Sequence, residues 1–228
     1  MVAMQYFPVF LDLTDKHCLV VGAGSVGRRK IRALLERNPA EVLVIDTRPP
    51  GEEFKKVLRS PLMTYEVREF CEDDLDGKWL VIASTNNEEL NWKISNLCKE
   101  RGILCNIVDQ PEKCSFIVPA VFRQGDLTLA VSTGGASPAL AKRIRQGLDE
   151  YFGSHYGGFL ALMSRLRPLV LELGHPTENN SALFRDLVHS GLLEAFEEGD
   201  REKSVTILKD VLPSELHDAI PELLNECL

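Results

Sequence analysis

The chain has 228 residues, 44% of them hydrophobic, and a formal charge of -8. That length and apolar content support one large core or two small ones, and the acidic balance excludes a general nucleic-acid binder, which needs a basic face. No stretch approaches the roughly 18 to 20 continuous apolar residues of a membrane span, and Met1 to Phe10 lacks both a basic leader and a cleavage site. A cytoplasmic protein with no membrane partner is expected.

Along the chain, Phe7 to Leu13 is a short apolar segment closed by a turn at Thr14-Asp15-Lys16. His17 to Val21 reads as a buried strand, residues 25–38 as a helix stopping at Asn38-Pro39, and Glu41 to Asp46 as a second strand. A helix over 52–59, a strand over Met63 to Arg68 and a strand over Trp79 to Ala83 follow, then a helix over Asn87 to Arg101 and a strand over Leu104 to Val108. Alternation with short connections predicts a parallel sheet with helices on both faces. Near Cys114 the pattern changes. Ser115 to Val121 and Leu127 to Ser132 read as strands of a hairpin around Arg123-Gln124-Gly125-Asp126, and helices are expected over 138–151, 154–173 and 181–198, with shorter pieces to Leu228.

The six cysteines (Cys18, Cys71, Cys98, Cys105, Cys114 and Cys227) form no C-x-x-C pair, and the histidines show no metal-ligand spacing, so free thiols and no metal are expected. Chemistry concentrates at four places. Leu19-Val20-Val21-Gly22-Ala23-Gly24-Ser25-Val26-Gly27 joins a strand to a helix. Gly22 and Gly24 would let the backbone approach a pyrophosphate, Gly27 would let the helix pack close to the sheet, and the helix N-terminus would meet the phosphates. Asp46, about two dozen residues after Gly22, would accept hydrogen bonds from a ribose.

The second place, Ala83-Ser84-Thr85-Asn86-Asn87, lies at the carboxyl end of a strand. Thr85 or Asn86 caps the next helix there, alone or together with a cofactor contact. The third is Asn106-Ile107-Val108-Asp109, where Asp109 either accepts a proton near the nicotinamide or makes an Asx turn before Pro111. The fourth is Ser132-Thr133-Gly134-Gly135-Ala136-Ser137-Pro138 with Lys142, Arg143 and Arg145 behind it. Ser137 as N-cap and Pro138 at the first helical position mark a helix start. The open turn suits carboxylates or phosphates, or else is a strand-to-helix turn with a solvated basic face. No nucleophile motif appears, so an NAD-dependent redox reaction is the residue-level reading.

These segments, together with Phe7-Pro8-Val9-Phe10-Leu11-Asp12-Leu13 and Ser115-Phe116-Ile117-Val118-Pro119-Ala120, occur in the order found in the precorrin-2 dehydrogenase family, which residues 5–150 resemble. The family includes the NAD-dependent module of bacterial siroheme synthases. The resemblance implies an α/β architecture: a Rossmann-like parallel sheet over 1–113 binding NAD, a small α+β dimerisation region over 114–150, and a helical C-terminal domain over 151–228. It implies oxidation of precorrin-2 to sirohydrochlorin by a homodimer, with possible sirohydrochlorin ferrochelatase activity besides. Gly22, Gly24, Ser25, Val26 and Gly27 would hold the pyrophosphate loop, Asp46, Thr47 and Arg48 the ribose and adenine end, and Thr85 would lie beside the cofactor. Asp109 matches the family's key aspartate and is the candidate base.

Asn106, Thr133, Gly134, Gly135, Ser137, Lys142 and Arg143 form the expected substrate-binding set for a tetrapyrrole rich in carboxylates. Thr133 stands where some relatives carry a phosphorylated serine. Two alternatives remain: another NAD-linked enzyme on the same scaffold, and a non-catalytic NAD-sensing regulatory module. The acidic C-terminal helices supply no basic helix-turn-helix for a repressor.

Overall fold

The computed structural model describes residues 6–51, 54, 59–108, 110–225 and 227. The expected helix over 52–59 falls almost wholly outside them. The chain divides into two compact units, Met1–Val118 and Pro119–Leu228.

The first unit is built on five parallel strands: β1 (His17–Val21), β2 (Glu41–Asp46), β3 (Met63–Val67), β4 (Leu80–Ala83) and β5 (Leu104–Ile107). Their order in the sheet is β3-β2-β1-β4-β5, so the connections wind outward in opposite directions from β1. That reversal creates a switch point where the loops after β1 and β4 separate and leave a crevice. β1 and β4 read as continuous apolar runs because both sheet faces are covered. Alternate residues go to opposite faces. Leu19, Val21, Val81, Ala83, Cys105 and Ile107 pack with Ile94 and Cys98 of α2 (Glu88–Glu100). Cys18, Val20, Val42, Val44, Leu80 and Ile82 pack with Ile31 and Leu34 of α1 (Ser25–Leu35). The Phe7 to Leu13 segment forms no regular structure. Phe7 is 88% and Phe10 75% exposed, and only Leu13 enters the core.

In the second unit the hairpin is shifted from its sequence expectation. Its strands are β6 (Ala120–Gln124) and β7 (Leu127–Val131), with Gln124 opposite Leu127 and a two-residue turn at Gly125 and Asp126. Gly125 has φ +57, and a Cβ there would lie 3.0 Å from Gly157 Cα, so a glycine suits this tight, closely packed turn. Ser115 to Pro119 are not strand.

Helices α3 (Pro138–Tyr151) and α4 (Ser154–Glu172) follow. The helix expected over 181–198 is two: α5 (Thr177–His189) and α6 (Leu192–Glu198), parted at Gly191, whose φ of +82 a helix cannot contain. α7 (Arg201–Val211) and α8 (Ile220–Asn225) complete the unit. Leu162, Leu166, Leu187, Leu192, Leu208 and Ile220 are fully buried in its core. Among the described residues no helix is long and apolar enough to cross a membrane.

Candidate functional site

The site lies where β1, β2 and β4 end. Each glycine of the turn after β1 meets a different constraint. Gly22 has φ +95, and a Cβ there would sit 2.7 Å from the Ser84 carbonyl, so this glycine lets the chain leaving β1 pass close against the end of β4. At Gly27 a Cβ would lie 2.1 Å from the Gly22 oxygen, so helix α1 can approach the strand only without a side chain. Gly24 is the reverse case: nothing lies within 4 Å of a Cβ placed there. It is the N-cap of α1 and no side chain caps that end, so the first-turn N–H groups stay open. Ser84 ties this close approach, its Oγ donating to the Gly22 oxygen at 2.7 Å.

Asp46 ends β2 with its side chain only 11% exposed. One carboxylate oxygen accepts the Ala23 N–H at 2.6 Å and the other the Arg48 N–H at 2.9 Å. Both oxygens keep a further lone pair for a diol. A cavity of about 950 Å³ opens here, and its lining includes Gly24, Ser25, Asp46, Thr47, Arg48 and Thr85. The structure thus brings together most of the residues expected at a dinucleotide's pyrophosphate and adenosine end.

Tyr65, Arg28 and Arg68 also line this cavity, and no local pattern along the chain marks them. Tyr65 Oη donates to the Arg48 oxygen at 2.9 Å, and burial together with the Asp46 charge holds its phenol above the ordinary range. Arg68 is fixed by two bonds to Asp74, at 2.9 and 2.7 Å.

Thr85 is held from behind. Its N–H and Oγ1 both point at Asn91 Oδ1, at 3.3 and 2.7 Å, while Asn91 Nδ2 donates to the Thr85 oxygen at 3.0 Å. Asn91 is 4% exposed on the inner face of α2. A buried amide among Leu90 and Ile94 was the available signal for it. The cap of α2 is Asn87, which accepts the Leu90 N–H at 3.1 Å, rather than Thr85 or Asn86. Thr85 is committed to Asn91 and to its own turn.

On the other side of the glycine loop a second cavity, about 350 Å³, is lined by Gly24, Ser25, Val26 and Thr85 and, across from them, Val108 and Gln110. Asp109 lies outside the described residues, but both its chain neighbours line this cavity. Asn106 is 7% exposed, and its Nδ2 donates to the Phe116 oxygen at 3.0 Å, so its amide is spent on the interior.

The remaining candidates belong to the second unit. Ser137 caps α3, accepting the Leu140 N–H at 3.2 Å, with Pro138 at the first helical position. Thr133 Oγ1 accepts the Ser137 N–H at 3.1 Å. Gly134 and Gly135 have φ +61 and +87, with nothing within 4 Å of a Cβ at either. Arg145 pairs with Asp149 at 2.9 Å, whereas Lys142 and Arg143 make no ion pair among the described residues. No group of His, Cys, Asp and Glu among the described residues could hold a metal ion.

Residues 9–120 match the family described as putative NAD(P)-binding. Residues 124–150 match the family described as sirohaem biosynthesis protein central. The siroheme synthase of Thioalkalivibrio sulfidiphilus is 36% identical over 215 residues, covering 93% of this chain and 43% of that protein. That of Nitrosomonas europaea is 34% identical over 209 residues, covering 92% and 44%. The chain therefore spans less than half the length of these relatives. Among solved structures, SirC, precorrin-2 dehydrogenase, has the same fold, with a TM-score of 0.75 at 23% identity over 90% of this chain and 98% of that one.

Proposed function

We propose that this chain, similar to siroheme synthases over more than nine-tenths of its own length, oxidises precorrin-2 to sirohydrochlorin with NAD. The observation that carries this reading is the second cavity: it faces the open N-terminus of α1 across from Val108 and Gln110, the two chain neighbours of Asp109.

The residues fit a dinucleotide. Gly24, Ser25 and the uncapped first turn of α1 suit the pyrophosphate, Asp46 the adenosine ribose, and Val26 and Thr85 the nicotinamide half. NAD rather than NADP follows from the Asp46 carboxylate, which would repel a 2′-phosphate. Thr47 and Arg48 line the same end.

Dehydrogenation removes a hydride and a proton. The NAD held by these residues would supply the hydride acceptor. Asp109 accepts the proton as general base. Lys142, Arg143 and the Gly134-Gly135 turn before Ser137 take substrate carboxylates, and Thr133 shapes that turn through its bond to the Ser137 amide. Asn106 serves the site indirectly, by tying β5 to Phe116.

Residues 114–150 act in this proposal as a dimerisation region. In support, α3 buries only Ala141, while Leu140, Ile144 and Tyr151 are 48%, 42% and 71% exposed. At 3.6 residues per turn these three lie within about 40° of one another. A cytoplasmic location is part of the same proposal, supported by six cysteines that are all free.

The experiment is anaerobic incubation with precorrin-2 and NAD, followed by the absorbance of sirohydrochlorin, with and without ferrous or cobalt ion as second substrate. Sirohydrochlorin formed only with NAD supports the proposal. Metal insertion would add a chelatase activity. NAD binding without product would favour a sensing module.

A further inference from the structure

β5 is the last strand of the sheet, and its outer edge has no sixth strand among the described residues. The N–H groups of Cys105 and Ile107 project from that edge, since alternate residues of a strand present their backbone groups to opposite sides. Both are satisfied by side chains of consecutive residues. Cys105 N–H donates to Ser115 Oγ at 2.7 Å, and Ile107 N–H donates to Cys114 Sγ at 3.1 Å. This substitutes for a strand ladder and also closes the edge to pairing with another chain.

The two side chains differ in what else they reach. Ser115 turns back on Cys105, its Oγ lying 3.2 Å from the Cys105 oxygen. Cys114 instead spans the end of β5. Its thiol faces the Ile107 oxygen at 3.3 Å and the Gln110 oxygen at 3.2 Å, and Asn106 Nδ2 approaches the sulfur at 3.6 Å. Desolvation holds the thiol above its ordinary pKa, so it stays protonated and able to donate at neutral pH. Gln110 is gripped from a second direction by Trp92, whose Nε1 donates to Gln110 Oε1.

We propose that Cys114 is a positioning residue for the dinucleotide site, holding Val108 and Gln110 as the wall that meets the nicotinamide half. The inference rests on assigning the second cavity to that half. Val108 and Gln110 line it, and Cys114 bonds directly to the backbone on both sides of the 108–109 segment. Without the thiol, the Ile107 N–H loses its partner and the Gln110 carbonyl is left with the Lys113 N–H alone. The wall is then free to move, while the glycine loop and Asp46, on other strands, keep all their contacts.

The test compares the affinities of NAD and ADP-ribose, which lacks only the nicotinamide. Cys114→Ala is expected to weaken NAD about tenfold and ADP-ribose less than about twofold, a loss on the scale of one hydrogen bond. Cys114→Ser, whose hydroxyl can accept from Ile107 and donate to a carbonyl, is expected to recover NAD binding to within about threefold of wild type. Ser115→Ala removes the neighbouring edge bond and is expected to lower Tm with the NAD to ADP-ribose ratio unchanged. Should Cys114→Ala fail to fold, Cys114→Val fills the space without a hydrogen bond and carries the same expectation. Equal loss for both ligands, or loss for neither, overturns the positioning role. If the wild-type protein itself binds both ligands equally, the assignment of the cavity to the nicotinamide fails instead.

Discussion

The Asp46 carboxylate accepts the Ala23 amide at 2.6 Å, across 23 residues of chain. The tip of β2 and the turn after β1 are therefore one unit, and the acid expected only to hold a ribose also shapes the loop that meets the phosphates. Asp46→Asn replaces one acceptor oxygen with an NH2 that must face a backbone N–H, at a cost of about 1–2 kcal/mol. NAD affinity should fall about tenfold, and the preference for NAD over NADP should narrow because the charge is gone. Titration calorimetry with both dinucleotides checks this; an unchanged NAD to NADP ratio would remove Asp46 as the discriminating residue.

Gly24 and Gly27 separate binding from folding. A Cβ at position 27 would sit 2.1 Å from the Gly22 oxygen, so Gly27→Ala must push α1 off the sheet and should cost at least about 2 kcal/mol. Position 24 is open and its φ is -62, so Gly24→Ala should leave stability within about 0.5 kcal/mol of wild type. It should nonetheless weaken NAD by about an order of magnitude, because the new methyl projects where the pyrophosphate would lie. Urea melts and NAD titrations on the two variants make the contrast directly.

Arg68 and Asp74 give a pH signature. Burial would raise the Asp74 carboxyl, but the Arg68 guanidinium and the Cys71 N–H outweigh it and hold the group below its ordinary value of 3.8. The native state thus binds fewer protons than the unfolded chain at acid pH. The stabilisation is complete above the unfolded value and is lost as pH falls through the folded one. Asp74→Asn should cost about 2 kcal/mol at neutral pH, and this difference should shrink between about pH 5 and pH 3. A difference that stays constant with pH would mean that the pair does not act through the carboxylate's charge.

The apolar stripe on α3 makes the dimer testable. Ile144→Glu adds a charge at the centre of the stripe and leaves Ala141, the buried contact of that helix, in place. Sedimentation should show a dimer for wild type and a monomer of similar helical content for the variant. A wild-type monomer at micromolar concentration would exclude the proposed role of residues 114–150.

Much of the first unit could be read from sequence because its signals are local. The odd and even residues of β1 and the glycines at 22, 24 and 27 each report on their own surroundings. Asp46 was visible for the same reason, as an acid ending an apolar strand. The edge of β5 was not, because beyond one backbone bond from Ser115 N–H to the Cys105 oxygen it is the side chains of Ser115 and Cys114 that do what a strand would do with its backbone. An apolar run from Ser115 onward then looks like the missing strand. Asn91, Tyr65 and Arg68 escaped for a different reason. Tyr65 and Asn91 act on loops from other elements and Arg68 lines the cavity beside them, and only the buried amide of Asn91 leaves a sign within its own helix.

The central claim is tested most directly by the stoichiometry of a single anaerobic reaction between this chain, precorrin-2 and NAD. The account predicts one NADH for each sirohydrochlorin formed, with Asp109→Asn slowing both by about two orders of magnitude or more, as expected for loss of a general base, and leaving NAD affinity unchanged. Tight NAD binding by the wild-type protein with no NADH and no sirohydrochlorin would contradict it.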